Sequence, residues 1–185
     1  MRTFLRWAQR ILFASAFLLL GYCAFVLADG RLFRNREDRA LAQFRPDSPA
    51  AVQPVSDGLI GRLTIPRLDV SAIVMEGVDD TTLRRAAGHI PGTRLPGQMG
   101  NTGIAAHRDT LFRPLRNIRR SDTITMTTLS GAYHYRVVST KVVSPSDVSV
   151  LESDGTEILT LVTCFPFYFI GAAPKRFIVR AERVT

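Results

Sequence analysis

A chain with two cysteines and three histidines has few groups able to act as nucleophile or general acid and base, so each can be weighed in its own place. Cys164 closes the run Glu157-Ile158-Leu159-Thr160-Leu161-Val162-Thr163-Cys164, whose β-branched and leucine residues predict a buried strand with the thiol at its end. A thiol is a strong nucleophile as the thiolate, which a neighbouring base or cation favours where water is partly excluded. The next loop, Phe165-Pro166-Phe167-Tyr168-Phe169-Ile170-Gly171, is rich in rings and could form an apolar groove for an extended peptide beside the thiol. Composition leaves a second reading open, a buried cysteine under a hydrophobic lid. Cys23 lies inside an apolar N-terminal run, and no disulfide between the two cysteines is expected.

The base for such a thiol must come from His89, His107 or His134. His134 sits in Tyr133-His134-Tyr135-Arg136, on the polar phase of an alternating strand, which reads as a surface position. His89 lies in Gly88-His89-Ile90-Pro91-Gly92, a loop-like stretch that suits a structural or substrate-side role. His107 closes Asn101-Thr102-Gly103-Ile104-Ala105-Ala106, whose small residues would let other groups approach the strand end. Residue type alone prefers His107 to His89 only slightly. Arg176 opens a final strand after the aromatic loop returns, where a cation could stabilise a developing oxyanion or hold a substrate backbone. It is also one of twenty-two arginines, and composition alone reads it as one more exposed charge.

These residues need a scaffold, and the sequence predicts one built from short strands. β-like runs recur at Leu59–Ile65, Leu68–Met75, Thr102–His107, Thr123–Leu129, Tyr133–Val143, Ile158–Cys164 and Arg176–Arg183, separated by Gly, Pro and Asp. Thr123-Ile124-Thr125-Met126-Thr127 alternates as a half-buried strand should, and Ser130-Gly131 supplies a turn into the next run. Only Asp80–Ala87 and a turn around Leu111–Ile118 read as helical. Seven or eight short strands with so little helix predict a mainly β fold closed into a barrel.

Ahead of this domain, residues 11–28 (ILFASAFLLLGYCAFVLA) form an uncharged run of about the minimum length for a membrane-spanning helix. Arg2, Arg6 and Arg10 before it favour a cytoplasmic N-terminus at residues 1–10, although Arg31, Arg34, Arg36 and Arg39 blunt the asymmetry. A cleaved signal peptide ending near Ala28 is the alternative, and either reading exports the chain beyond Ala28. Residues 29–58 read as a juxtamembrane stalk, its second half broken by Pro46, Pro49 and Pro54. The globular domain is expected over residues 59–185. Its sixteen basic and eleven acidic residues make it only mildly cationic, and with no basic motif interleaved with aromatics, nucleic-acid binding is not expected.

Thr160-Leu161-Val162-Thr163-Cys164 has the form Thr-Leu-X-Thr-Cys and resembles the nucleophile motif of the sortases. Arg176 comes at a similar interval on the next strand. Ala106-His107-Arg108 resembles the family's small-residue-His-Arg element, with alanine where glycine is usual. Cys164–Gly171 and Gly88-His89-Ile90-Pro91-Gly92-Thr93 are most similar to class D sortases and their Gram-negative relatives. The resemblance covers Leu59 to Val184.

It implies an eight-stranded sortase β-barrel behind a single N-terminal transmembrane helix, facing outward from the cytoplasmic membrane. It also implies a cysteine transpeptidase that cleaves a Leu-Pro-X-Thr-Gly-like sorting signal between Thr and Gly and transfers the protein to an amine. Cys164 would be the nucleophile, His107 the acid and base, and Arg176 the electrostatic partner; Thr163, Phe165, Tyr168 and His89 are the candidate substrate-binding residues. No cofactor or metal is expected, Asp79-Asp80 being too short a pair to suggest a calcium site. The expected partners are surface proteins bearing such a signal, an amine acceptor from a cell-wall precursor or another protein, and membrane lipid. Two rivals are weighed against this. An L,D-type transpeptidase would show a Ser/Thr-His-Gly-Cys stretch, which is absent. A tethered binding protein with an inactive barrel is opposed by the presence of His107, Cys164 and Arg176 together.

Overall fold

The computed structural model of the protein describes residues 6–7, 9–25, 28, 58–169 and 171–184. Eight strands form a closed barrel: β1 (Leu59–Ile65), β2 (Val70–Glu76), β3 (Ala87–His89), β4 (Gly100–Ala105), β5 (Thr123–Thr128), β6 (Gly131–Val143), β7 (Glu157–Phe165) and β8 (Lys175–Val184). Around the barrel the order is β1-β2-β3-β4-β7-β8-β6-β5. Closure leaves no free sheet edge, so every strand pairs on both sides. Two of the pairings, β2 with β3 and β4 with β7, are parallel. The parallel β4–β7 pair and the antiparallel β7–β8 pair bring the ends of β4 and β7 and the start of β8 to one rim.

The expected mainly β barrel is present, and the differences lie at its short elements. The stretch expected to be helical from Asp80 to Ala87 is an α-helical turn over Asp80–Leu83 only, capped by Asp79, whose carboxylate accepts from the backbone N–H groups of Thr81 and Thr82. Ala87 instead starts β3, placing His89 on a strand and not in a loop. β4 stops at Ala105, two residues before His107, and Leu68 belongs to a 3-10 turn ahead of β2. The turn expected around Leu111–Ile118 is a 3-10 stretch at Arg113–Asn117.

Alternation along each strand separates a core side from an outer side. Leu63, Ile104, Met126, Tyr135, Leu161 and Val179 are fully buried inside. Replacing a buried leucine such as Leu161 by alanine typically costs about 2–5 kcal/mol, so the strand leading to Cys164 is firmly held from within. Asp122, just ahead of β5, accepts from Arg67 Nε (2.5 Å) and Nη2 (2.6 Å) and from the Arg119 backbone N–H (2.7 Å). The Arg67 guanidinium and the Arg119 amide hold the Asp122 carboxyl below the usual carboxylate range. This ion pair fastens the far end of the long connection that begins at His107.

Residues 9–25 are helical, with Leu12, Phe13, Phe17, Leu18, Leu19 and Leu20 each more than half exposed. Among the described residues no helix is long and apolar enough to cross a membrane. The expected span at 11–28 includes residues 26 and 27, and the expected stalk includes residues 29–57; these lie outside the described residues.

Candidate active site

Cys164 is the eighth residue of β7, and its direction comes from the period of two. Leu159 and Leu161 point into the core and Thr163 is buried on the same side, so Thr160, Val162 and Cys164 take the outer face. On β8 the register pairs Cys164 with Arg176, Val162 with Ile178 and Thr160 with Arg180. Directly opposed residues of an antiparallel ladder share a face, with Cβ atoms roughly 4.5–5.5 Å apart. The thiol and the guanidinium-bearing side chain therefore leave the sheet side by side.

On the other flank, β4 runs parallel to β7 with Ala105 opposite Val162. The Ala106 N–H donates to the Val162 carbonyl (3.2 Å), extending the ladder one step past the strand. Ala106 is buried, and His107, the next residue, is half-buried on the outer phase. The Thr163 hydroxyl donates to the Ala106 carbonyl (2.7 Å) and fixes this extension to the residue preceding Cys164. Continued by the same parity, the register sets His107, Cys164 and Arg176 in one row across the outer face of three neighbouring chains. The arrangement holds a thiol between an imidazole and a guanidinium, the set needed to attack an amide, stabilise the oxyanion and protonate the departing amine.

The two threonines of the Thr-Leu-X-Thr-Cys stretch each have a visible task. Thr163 makes the bond just described. Thr160, fully buried on the outer face, donates to Asn101 Oδ1 (2.8 Å), while Asn101 Nδ2 donates to the carbonyls of Val150 (3.1 Å) and Glu152 (3.2 Å). This stitch pins the β6–β7 connection across the outer face beneath the row. Sequence reasoning missed Asn101, whose partners lie in distant segments. A cavity of about 220 Å³ opens on the same face between Ser139, Lys141, Ser149, Val150, Ile178 and Arg180. It reaches the row only through Ile178, two positions from Arg176, and contains none of the three reactive residues.

Arg176 Nη1 donates to the carbonyls of Ala173 (3.3 Å) and Lys175 (3.1 Å), so its own loop holds one arm of the fork. The aromatic loop divides its rings between two tasks. Phe165 and Phe167 pack with Phe177 of β8 at centroid distances of 5.3–6.3 Å, closing the rim above the core. Tyr168 and Phe169 remain exposed at 76% and 45%. The Phe165–Pro166 peptide is cis.

Four residues were expected to bind substrate, and the structure places them differently. Tyr168 is open to a ligand, and Phe165 belongs to the ring cluster at the rim. Thr163 and His89 do not fit the expectation, because both are buried with their polar atoms used. His89 Nδ1 pairs with Glu76 Oε2 (2.9 Å), and Nε2 lies 3.0 Å from both the Arg94 carbonyl and the Thr93 hydroxyl. His89 thus knits β2, β3 and the adjoining loop together and presents no ring atom to a substrate. His134 is exposed, with Nδ1 3.1 Å from Thr125 Oγ1, as its surface reading implies.

Comparison with known proteins bears on the family and the fold. A family model described as a sortase domain matches residues 63–184. Sortase D of Bacillus subtilis (strain 168) is 29% identical over 188 aligned residues, covering 93% of this chain and 95% of that protein. Sortase A of Listeria monocytogenes is 31% identical over 112 residues, of which this chain spans half the relative's length. Among solved structures, a Clostridium perfringens Sortase D5 transpeptidase superposes with a TM-score of 0.63 at 26% identity, covering 82% of this chain and 89% of that one. Sortase A from Corynebacterium diphtheriae gives 0.65 at 26% identity, covering 86% and 83%.

Proposed function

The chain belongs to the sortase family, and on that premise we propose that His107, Cys164 and Arg176 are the catalytic centre of a cysteine transpeptidase working on the outer side of the cytoplasmic membrane. Sortases cleave Leu-Pro-X-Thr-Gly-type signals, and the extended outer face of β4 and β7 suits a peptide of that kind. The Cys164 thiolate attacks the Thr carbonyl carbon, forming a C–S bond and an oxyanion beside the Arg176 guanidinium. Collapse breaks the C–N bond to Gly, and His107 gives its proton to the departing amine. The acceptor amine then attacks the thioester, His107 takes up the amine's surplus proton, and Cys164 leaves as thiolate. Bonds and protons balance over the cycle.

The observation that carries this reading is the register pair Cys164–Arg176 together with the Thr163–Ala106 bond that brings His107 into the same row. Exposed Tyr168 at the loop is the candidate contact for the signal's flank. The test is to incubate the full-length chain with sorting-signal peptides and an added amine and to monitor thioester and transfer product by mass spectrometry.

The membrane anchor belongs to the same proposal. Residues 11–25 are helical, uncharged and mostly apolar, as suits a helix surrounded by lipid. Arg2, Arg6 and Arg10 support an N-terminus inside the cell and a barrel outside.

A further inference from the structure

His107 is bracketed on both sides by bonds to the chain that carries Cys164. On its N-terminal side lies the Thr163–Ala106 contact. On its C-terminal side, Arg108 Nη2 reaches more than sixty residues along the chain to the carbonyls of Phe169 (2.6 Å) and Gly171 (3.0 Å), with the guanidinium 5.9 Å over the Phe169 ring. Gly171 has φ +97°, a left-handed conformation that a side chain would strain. A second arginine of the same connection, Arg116, donates to the Tyr168 hydroxyl (2.8 Å) and lies 5.5 Å from its ring.

We propose that Arg108 is a positioning residue of the transfer reaction: it clamps the segment carrying His107 onto the β7–β8 loop and so sets where His107 stands against the Cys164–Arg176 pair. The inference rests on the transpeptidase reading above. The β7–β8 ladder already holds Cys164 opposite Arg176, so the clamp acts on the third member of the row, His107, whose C-terminal neighbour it ties to the loop between the other two. Arg108 Nη1 is buried without an acceptor among the described residues.

The test compares full-length wild type, Arg108→Met, Arg108→Gln and Arg108→Lys. Thioester formation with a sorting peptide is measured at several peptide concentrations, together with the melting temperature. The Met and Gln variants should lose about tenfold to a hundredfold in the maximal rate, as misplacing a reacting group by an ångström does, while the peptide KM moves by less than about threefold. The Met variant should keep a melting temperature close to wild type, because the bonds it loses are exposed. Lys, a compact charge without a planar fork, should recover only part of the rate. Wild-type rates in the Met and Gln variants overturn the clamp and leave the transpeptidase reading standing. So does a rate loss matched by a drop in melting temperature and restored on cooling, since Arg108 would then only stabilise the fold. A wild type that forms no thioester sinks the transpeptidase reading itself, and the clamp with it.

Discussion

Cys164 of β7 and Arg176 of β8 are opposed residues of one antiparallel ladder, and both face outward from the barrel. The relationship is set by backbone pairing and not by a side-chain contact, so it persists as long as the two strands stay in register. A one-residue slip would turn one of them into the core. The sheet, held by the buried Leu161 and Val179 pair beneath, thus fixes which charge accompanies the thiol.

Arg176→Lys keeps the charge but not the paired donors of a planar fork. Peptide cleavage should fall by about a hundredfold to a thousandfold, the loss typical when one oxyanion donor is removed. Steady-state cleavage of a sorting peptide measures this, and near-normal turnover in the lysine variant would remove the proposed oxyanion role.

His107 and His89 should separate cleanly. His107→Ala should slow acylation by about a hundredfold to ten-thousandfold, because amide cleavage needs a proton at the departing nitrogen. His89→Ala should instead lower the melting temperature, since it strands the partners at Glu76, Arg94 and Thr93 at a cost of about 1–3 kcal/mol, while the folded fraction retains most of its activity. Rate and melting temperature for both variants decide the matter; an inactive but stable His89→Ala would reverse the assignment.

Asp122 predicts a pH dependence of stability. Its carboxyl is held below the ordinary range by Arg67, so the pair's contribution is present above the unfolded value, near about pH 4, and disappears as pH falls through the lower folded value. The melting temperature of Asp122→Asn should lie below wild type at neutral pH and converge with it in acid. Parallel melting curves across that window would show that the pair contributes nothing.

Much of the scaffold was legible because its strands obey a simple rule. Thr123–Thr128 alternates polar and apolar residues, and β7 carries a run of β-branched side chains that ends at the thiol. β3 escaped detection because it has three residues and its centre is Gly88, where an added Cβ would stand 2.1 Å from the Gly77 carbonyl oxygen. Close backbone packing of that kind leaves no hydrophobic period to read. For the same reason His89 looked like a loop residue. Cys164 stood out by its setting, but Arg108 and Asn101 act through carbonyl groups of distant segments, and nothing in their local sequence announces those partners. The row of three could be recognised by resemblance, whereas the parallel β4–β7 register that assembles it could not be read from spacing.

The N-terminal helix predicts that the full-length chain stays with the membrane fraction after high-salt and carbonate washing, because apolar side chains and not charges would hold it there. Fractionation with detection of chain length checks this. Recovery of a shortened soluble form would indicate cleavage near Ala28.

The most direct test of the central claim is the intact mass of the full-length chain quenched in acid after mixing with sorting-signal peptides in the absence of added amine. The account predicts a mass increase equal to the peptide's N-terminal fragment acid less water, localised to Cys164, reversed by an amine that takes up the fragment, and absent from a folded Cys164→Ala variant. Cleavage that survives in Cys164→Ala, or an adduct borne by any other residue, would contradict it.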